Sequence, residues 1–207
     1  MAKHRFGQKI VMKQPPSPAP SPIGPASMGE VVMAARKGPP PVHLWHPPFC
    51  GDIDMRIARD GTWFYQGGPI GRAPLVRLFS QILRREGDDY FLVTPVEKVG
   101  IKVDDAPFLA VDFTTTGSGA GQVLQFVTKT EDEVTASAEN PIRVARDASG
   151  QPAPYVHIRA GMEALIDRKS FYRLVDLAVI APHMGADWLG VYSSGAFFPM
   201  ILAAELV

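Results

Sequence analysis

A chain of 207 residues can form one large domain or two small ones, and an apolar content of 46% with a mean hydropathy of +0.02 belongs to a soluble globular protein. No stretch approaches the ~20 apolar residues of a membrane span, and the single Cys50 excludes an internal disulfide framework. The net charge of zero divides into +5 over Met1–Pro48 and −5 over the remainder, and an acidic body excludes the basic face that nucleic acid requires.

Eleven of the 20 prolines lie in Met1–Pro48. Proline fixes φ and lacks the amide donor, so residues 1–41 read as a disordered Pro-rich arm with extended polyproline stretches and at most a short helix around Glu30–Arg36. Lys3, Arg5 and Lys9 resemble the n-region of a signal peptide, but Ile10-Val11-Met12 falls short of the ~7–15 apolar residues that should follow. A cytoplasmic protein is the expectation.

The folded part begins with alternation. Ile53, Met55 and Ile57 interleave with Asp54 and Arg56, a strand with one buried face. Asp60-Gly61 turns the chain into a returning strand, Thr62–Gln66. Leu75, Val76, Leu78, Phe79, Ile82 and Leu83 form one helical stripe, with Pro74 in the first turn and Gly87 placed to end the helix. Strands are expected at Tyr90–Thr94, Val96–Val103, Phe108–Thr115 and Gln122–Thr128, the last two joined by the glycine-rich turn Gly117–Gly121. Further strands follow at Ile142–Arg146, Pro154–Arg159 and Met162–Ile166. A helix over Lys169–Ile180 has Asp167 as its N-cap, with Pro182 beyond its end. Trp188–Ser193 is a strand.

The order of these elements repeats. Met55–Asp60 returns as Ile142–Asp147, Ile70–Leu78 as Ile166–Leu174, and Asp89–Val93 as Asp187–Val191, at offsets of 87, 96 and 98 residues. Leu78 and Leu174 are then expected as buried equivalents. The fold class that follows is α+β: two duplicated domains, 42–105 and 106–207, each an antiparallel sheet with one main helix packed on it. A duplicated unit creates an interface, where ligand sites preferentially lie.

The chain resembles a bacterial family catalogued as a domain of unknown function. The resemblance rests on Cys50-Gly51-Asp52-Ile53-Asp54-Met55-Arg56-Ile57, Asp60-Gly61-Thr62-Trp63, Gly68-Pro69-Ile70-Gly71-Arg72, Leu92-Val93-Thr94-Pro95-Val96-Glu97-Lys98 and Asp105-Ala106-Pro107-Phe108. It runs from about Trp45 to the C-terminus, and the Pro-rich arm departs from it. It implies an internally duplicated two-domain α+β fold whose C-terminal half is superficially similar to pleckstrin-homology folds. It also implies a nucleotide-type ligand at the domain interface and a signalling role.

Arginine is the leading candidate for ligand contact. Arg56 and Arg143 are repeat equivalents on strands, and Arg72 and Arg168 stand at the mouths of the two helices, where a guanidinium beside free amides suits phosphate or carboxylate. The same side chains could brace the fold against Asp52, Asp54, Glu97 or Glu163. Gly67–Arg72 lies between strand and helix but lacks the spacing of a phosphate-binding loop, so a tight turn is the plainer reading. His43, His46 and Cys50 fit no zinc pattern, so no metal site and no cofactor is expected. Asp52 and Asp54 could act as acid and base or hold Mg²⁺, and His157 could be a base, yet no nucleophile accompanies them and no catalytic residue is assigned. Trp63 could stack on a base, although strand aromatics usually belong to the core.

The favoured reading is a ligand-binding protein with a sensory or signal-transduction role. It takes a small anionic, nucleotide-type ligand in the interdomain cleft, contacted by Arg56, Trp63, Arg72, Arg159 and Arg168. The alternatives are a metal-assisted hydrolase using Asp52 and Asp54, and an interaction module that recruits a protein partner through the arm.

Overall fold

The computed structural model describes residues 40–147 and 149–206. The expected arm, apart from Pro40 and Pro41, lies outside them, as does the helix considered around Glu30–Arg36. Pro40 is buried, and the chain passes into a 3₁₀ turn, Val42–Leu44. Arg84 holds this segment down by donating to the main-chain oxygen of Trp45 at 2.7 Å.

The first domain is one sheet with a helix on it. Its elements are β1 (Phe49–Ile57), β2 (Trp63–Tyr65), β3 (Gly68–Pro69), α1 (Ala73–Gln81), β4 (Leu83–Glu86), β5 (Asp89–Val93) and β6 (Lys98–Val103). The spatial order is β3-β2-β1-β6-β5-β4. The β1–β2 turn forms as the dipeptide predicts: Gly61 has φ +72°, and the Thr62 amide donates to Asp60 Oδ1 at 2.9 Å. That bond holds the Asp60 carboxyl below its ordinary value.

The second half contributes β7 (Phe108–Thr116), β8 (Val123–Thr128), β9 (Glu133–Thr135), β10 (Ile142–Arg146), β11 (Pro152–Arg159), β12 (Met162–Ile166), α2 (Arg168–Asp176), β13 (Val179–His183), β14 (Ala186–Ser193) and β15 (Ala196–Leu202). They form a six-stranded sheet ordered β10-β11-β12-β7-β8-β9 and a three-stranded meander, β13-β14-β15. The architecture is α+β with two duplicated, sheet-rich domains. The sheets are not purely antiparallel: β1 runs parallel to β6, and β12 parallel to β7.

Both helices are shorter than their apolar stripes suggest. Ile82 and Leu83 continue the periodicity of α1, but Ile82 caps the helix and Leu83 opens β4, opposite Leu92. Gly87 does adopt positive φ, but in the β4–β5 hairpin turn and not at the helix end. Likewise Val179 and Ile180 belong to β13, where Pro182 also lies. A run of adjacent apolar residues satisfies either period, and tertiary pairing decided it.

The helices, nine residues each, line up at an offset of 95 residues, one fewer than the motif alignment gave. Phe79, 8% exposed, is therefore the counterpart of Leu174, at 0%, and Leu78 is only half-buried. Asp167 caps α2 through the Ser170 amide, while Arg72 stands at the N-cap of α1 with no side-chain cap. One hydrophobic core, from Met55, Ile57 and Trp63 through Phe108 and Phe126 to Leu174, runs through both domains.

Candidate functional site

The β8–β9 hairpin tip, Thr128–Asp132, reaches across to α1 of the first domain. The tip is tied internally: Thr130 Oγ donates to Asp132 Oδ2 at 2.7 Å, and the Asp132 amide donates to Thr128 Oγ at 2.9 Å. Glu131 takes a φ of +65°, uncommon for a residue with a side chain. Three cations meet this tip. Arg77 of α1 pairs with Glu131, and Arg159 of β11 pairs with Asp132. Lys129, on the tip itself, donates back to the Asp60 main-chain oxygen at 3.1 Å. Arg159 also donates to the Ser80 main-chain oxygen at 2.8 Å, and its guanidinium lies 4.8 Å over the Phe108 ring.

Around these pairs lies the interdomain cleft, about 460 Å³, lined by Pro40, His43, Arg77, Arg84, Asp132 and Arg159 among others. Beyond the Arg77–Glu131 pair it adjoins a recess of about 230 Å³ lined by Gly61, Trp63, Gly71, Val76 and Lys129. Arg84 pairs with Glu86, whose carboxyl is held below its ordinary value by Lys98 and Arg84, and the enclosed Arg84 Nε has no hydrogen-bond partner among the described residues. The volume is that of a small-molecule site.

The five residues expected to meet a ligand are dispersed. Arg159 is on the cleft. Trp63 closes the floor of the recess, but it is 2% exposed and stacked on Phe79, so it offers no open ring face. Arg72 is exposed beside that recess and makes no ion pair among the described residues. Arg168 lines a separate hollow with Arg59, Asp60, Phe171 and Tyr172. Arg56 pairs with Asp104 and lies 4.6 Å over the ring of Phe64, its cross-strand neighbour. Its repeat equivalent Arg143 does the same, pairing with Glu163 and lying 4.2 Å over Tyr155, its own cross-strand neighbour. Two copies of one brace account for the repetition of this arginine.

The other candidates, Asp52, Asp54 and His157, do not line the cleft. Asp52 and Asp54 are exposed on β1, and Asp52 Oδ1 lies over Gly100 of β6, 2.0 Å from where a side-chain carbon would stand, so a larger residue there would push the Asp52 carboxylate aside. His157 Nε2 accepts from the Gly161 amide at 3.2 Å. Among the described residues no three of His, Cys, Asp and Glu stand together as a metal site, and no helix is long and apolar enough to cross a membrane. Sequence reasoning missed Arg77, Arg84, Lys129, Glu131 and Asp132. The polar run Thr128-Lys129-Thr130-Glu131-Asp132 between two strands marks a hairpin tip, but nothing in it marks a partner.

Residues 40–106 match the domain of unknown function (DUF1285), N-terminal domain, and residues 107–200 match the C-terminal domain of the same family. The chain belongs to the DUF1285 family. A DUF1285 family protein from Silicibacter pomeroyi DSS-3, solved by crystallography, is similar to it at 62% identity over 85% of this chain and 97% of that one, with a TM-score of 0.78. A DUF1285 family protein from Shewanella baltica OS155 is 28% identical over 60% of this chain and 91% of that one, with a TM-score of 0.47. No curated protein matches.

Proposed function

We propose that this DUF1285 protein is a cytoplasmic ligand-binding protein that takes a small anionic, nucleotide-type ligand in the interdomain cleft and reports its presence through the contact between the domains. One observation carries this reading. The acidic partners of Arg77 and Arg159, Glu131 and Asp132, both sit on the β8–β9 tip that touches α1. An anion entering the cleft competes with that tip for the two guanidinium groups, which are built to hold phosphate oxygens in pairs. Binding and interdomain contact are then linked: what the ligand gains from the arginines, the tip loses. Arg84, already bonded to the segment after Pro40, extends the positive lining towards Pro40 and His43.

A thermal-shift screen of the full chain against nucleoside mono-, di- and triphosphates and inorganic pyrophosphate tests the reading. A ligand at a hundred times its Kd stabilises by about 2.7 kcal/mol, a rise of about 5–10 °C for a chain of this size. A melting temperature that none of these anions raises at millimolar concentration refutes it.

A further inference from the structure

The duplication leaves the two copies unequal at one seam. In the first copy β1 pairs in parallel with β6. The equivalent strands of the second copy, β10 and β15, run side by side, but β10 is laddered only to β11 and β15 only to β14. Pro199, in β15, has no amide to offer across the seam. Between this seam and α2 lies a hollow of about 440 Å³. Val144, Phe171, Val175, Trp188 and Met200 line it, and its charged residues are Arg146 and Glu205.

Ile57, on β1, is fully buried, whereas its counterpart Val144 is only half-buried. Val175 and Leu206, on the same hollow, are 39% and 47% exposed. Apolar surface facing water costs stability, and Val175 and Leu206 bring two such side chains to one opening. The charges are arranged at one place too: Arg146 donates to Glu205 at 2.8 Å, and Glu205 belongs to the short 3₁₀ turn Ala203–Glu205 that follows β15. Both side chains are about half exposed, so the pair is open to exchange.

We propose that this hollow binds a free single-chain fatty carboxylate, its alkyl chain between α2 and the β10–β15 seam and its head group replacing Glu205 on Arg146. The apolar lining fits the chain, the volume falls within the ~300–1,000 Å³ of small-molecule sites, and a lone guanidinium is the complement of a single carboxylate. The site is separate from the interdomain cleft, so it stands or falls apart from the function proposed above.

The test is calorimetric titration of the full chain with laurate below its micelle concentration, with dodecanol as the uncharged comparator. Saturable binding of laurate is expected. Val175→Trp fills the hollow and should weaken both ligands by about tenfold or more without lowering the melting temperature. Glu205→Gln removes the competing carboxylate and should tighten laurate about two- to fivefold while leaving dodecanol unchanged; Arg146→Gln should weaken laurate alone, by a similar factor. The absence of saturable laurate binding overturns the proposal. So does binding that neither Val175→Trp nor Arg146→Gln alters, or capture of phosphatidylglycerol vesicles without uptake of monomeric laurate.

Discussion

Replacing Arg159 by methionine separates the cleft's two ion pairs by their worth. Arg159 pairs with Asp132, donates to the Ser80 main-chain oxygen at 2.8 Å and lies over Phe108. Methionine keeps the apolar stem on Phe108 but removes the donor to Asp132 Oδ1 and to the Ser80 carbonyl, while Asp132 Oδ2 keeps its bond from Thr130. A charge-assisted hydrogen bond contributes about 1.5–3 kcal/mol and a cation–π contact about 0.5–1 kcal/mol. The Arg159 side chain is 34% exposed and that of Asp132 18%, so solvent screens only part of this. Arg159→Met should therefore cost about 2–3 kcal/mol, a fall of about 4–12 °C in melting temperature. Arg77→Met is the control. The Arg77–Glu131 pair is 52% and 65% exposed, and exposed pairs contribute about 0–1 kcal/mol. Urea unfolding followed by circular dichroism measures both. If Arg159→Met stays within about 0.5 kcal/mol of wild type, or costs less than Arg77→Met, the reasoning that Arg159 braces the tip and ties it to α1 is wrong.

Leu174→Ala and Phe79→Ala should each destabilise by about 2–5 kcal/mol, and Leu78→Ala by clearly less, since only the first two are buried; the same urea midpoints would expose a wrong repeat register if Leu78→Ala were the costlier helix-α1 change. Burial and the bond to Asp105 push the Tyr155 hydroxyl up to about 12, so the folded state holds that proton more tightly than the unfolded chain, whose tyrosine titrates near ~10. The resulting stabilisation is complete below about pH 10 and is lost as the pH rises towards about 12; Tyr155→Phe should remove this slope from a plot of urea midpoint against pH, and an unchanged slope would assign it elsewhere.

What the sequence made legible was local. The alternation of β1, the Asp60-Gly61 turn and the Asp167 cap each rest on neighbouring residues, and each appears where its residue types point. The duplication was legible because it repeats such local signals in order. The helix ends were not, because Ile82-Leu83 and Val179-Ile180 suit a helical stripe and a strand equally. The parallel β1–β6 pairing joins segments far apart in the chain and leaves no short-range mark. The cleft was legible only in its general place and in Arg159. Arg77 and Glu131 are 54 residues apart, Arg159 and Asp132 27, and a hairpin tip made of ordinary polar residues does not announce which helix it will touch. Trp63 sits beside a glycine turn, which drew attention to it, but its ring is consumed by the core.

The central claim is that an anion in the cleft competes with the β8–β9 tip for arginine, and Glu131→Gln tests it most directly. Glutamine keeps the size of the side chain and removes the charge that occupies Arg77. Calorimetric titration of the wild-type chain and this variant with nucleoside triphosphates and with inorganic pyrophosphate should show the variant binding about two- to fivefold more tightly, the release of one exposed ion pair. Equal affinity in the two proteins, or tighter binding by the wild type, would contradict it.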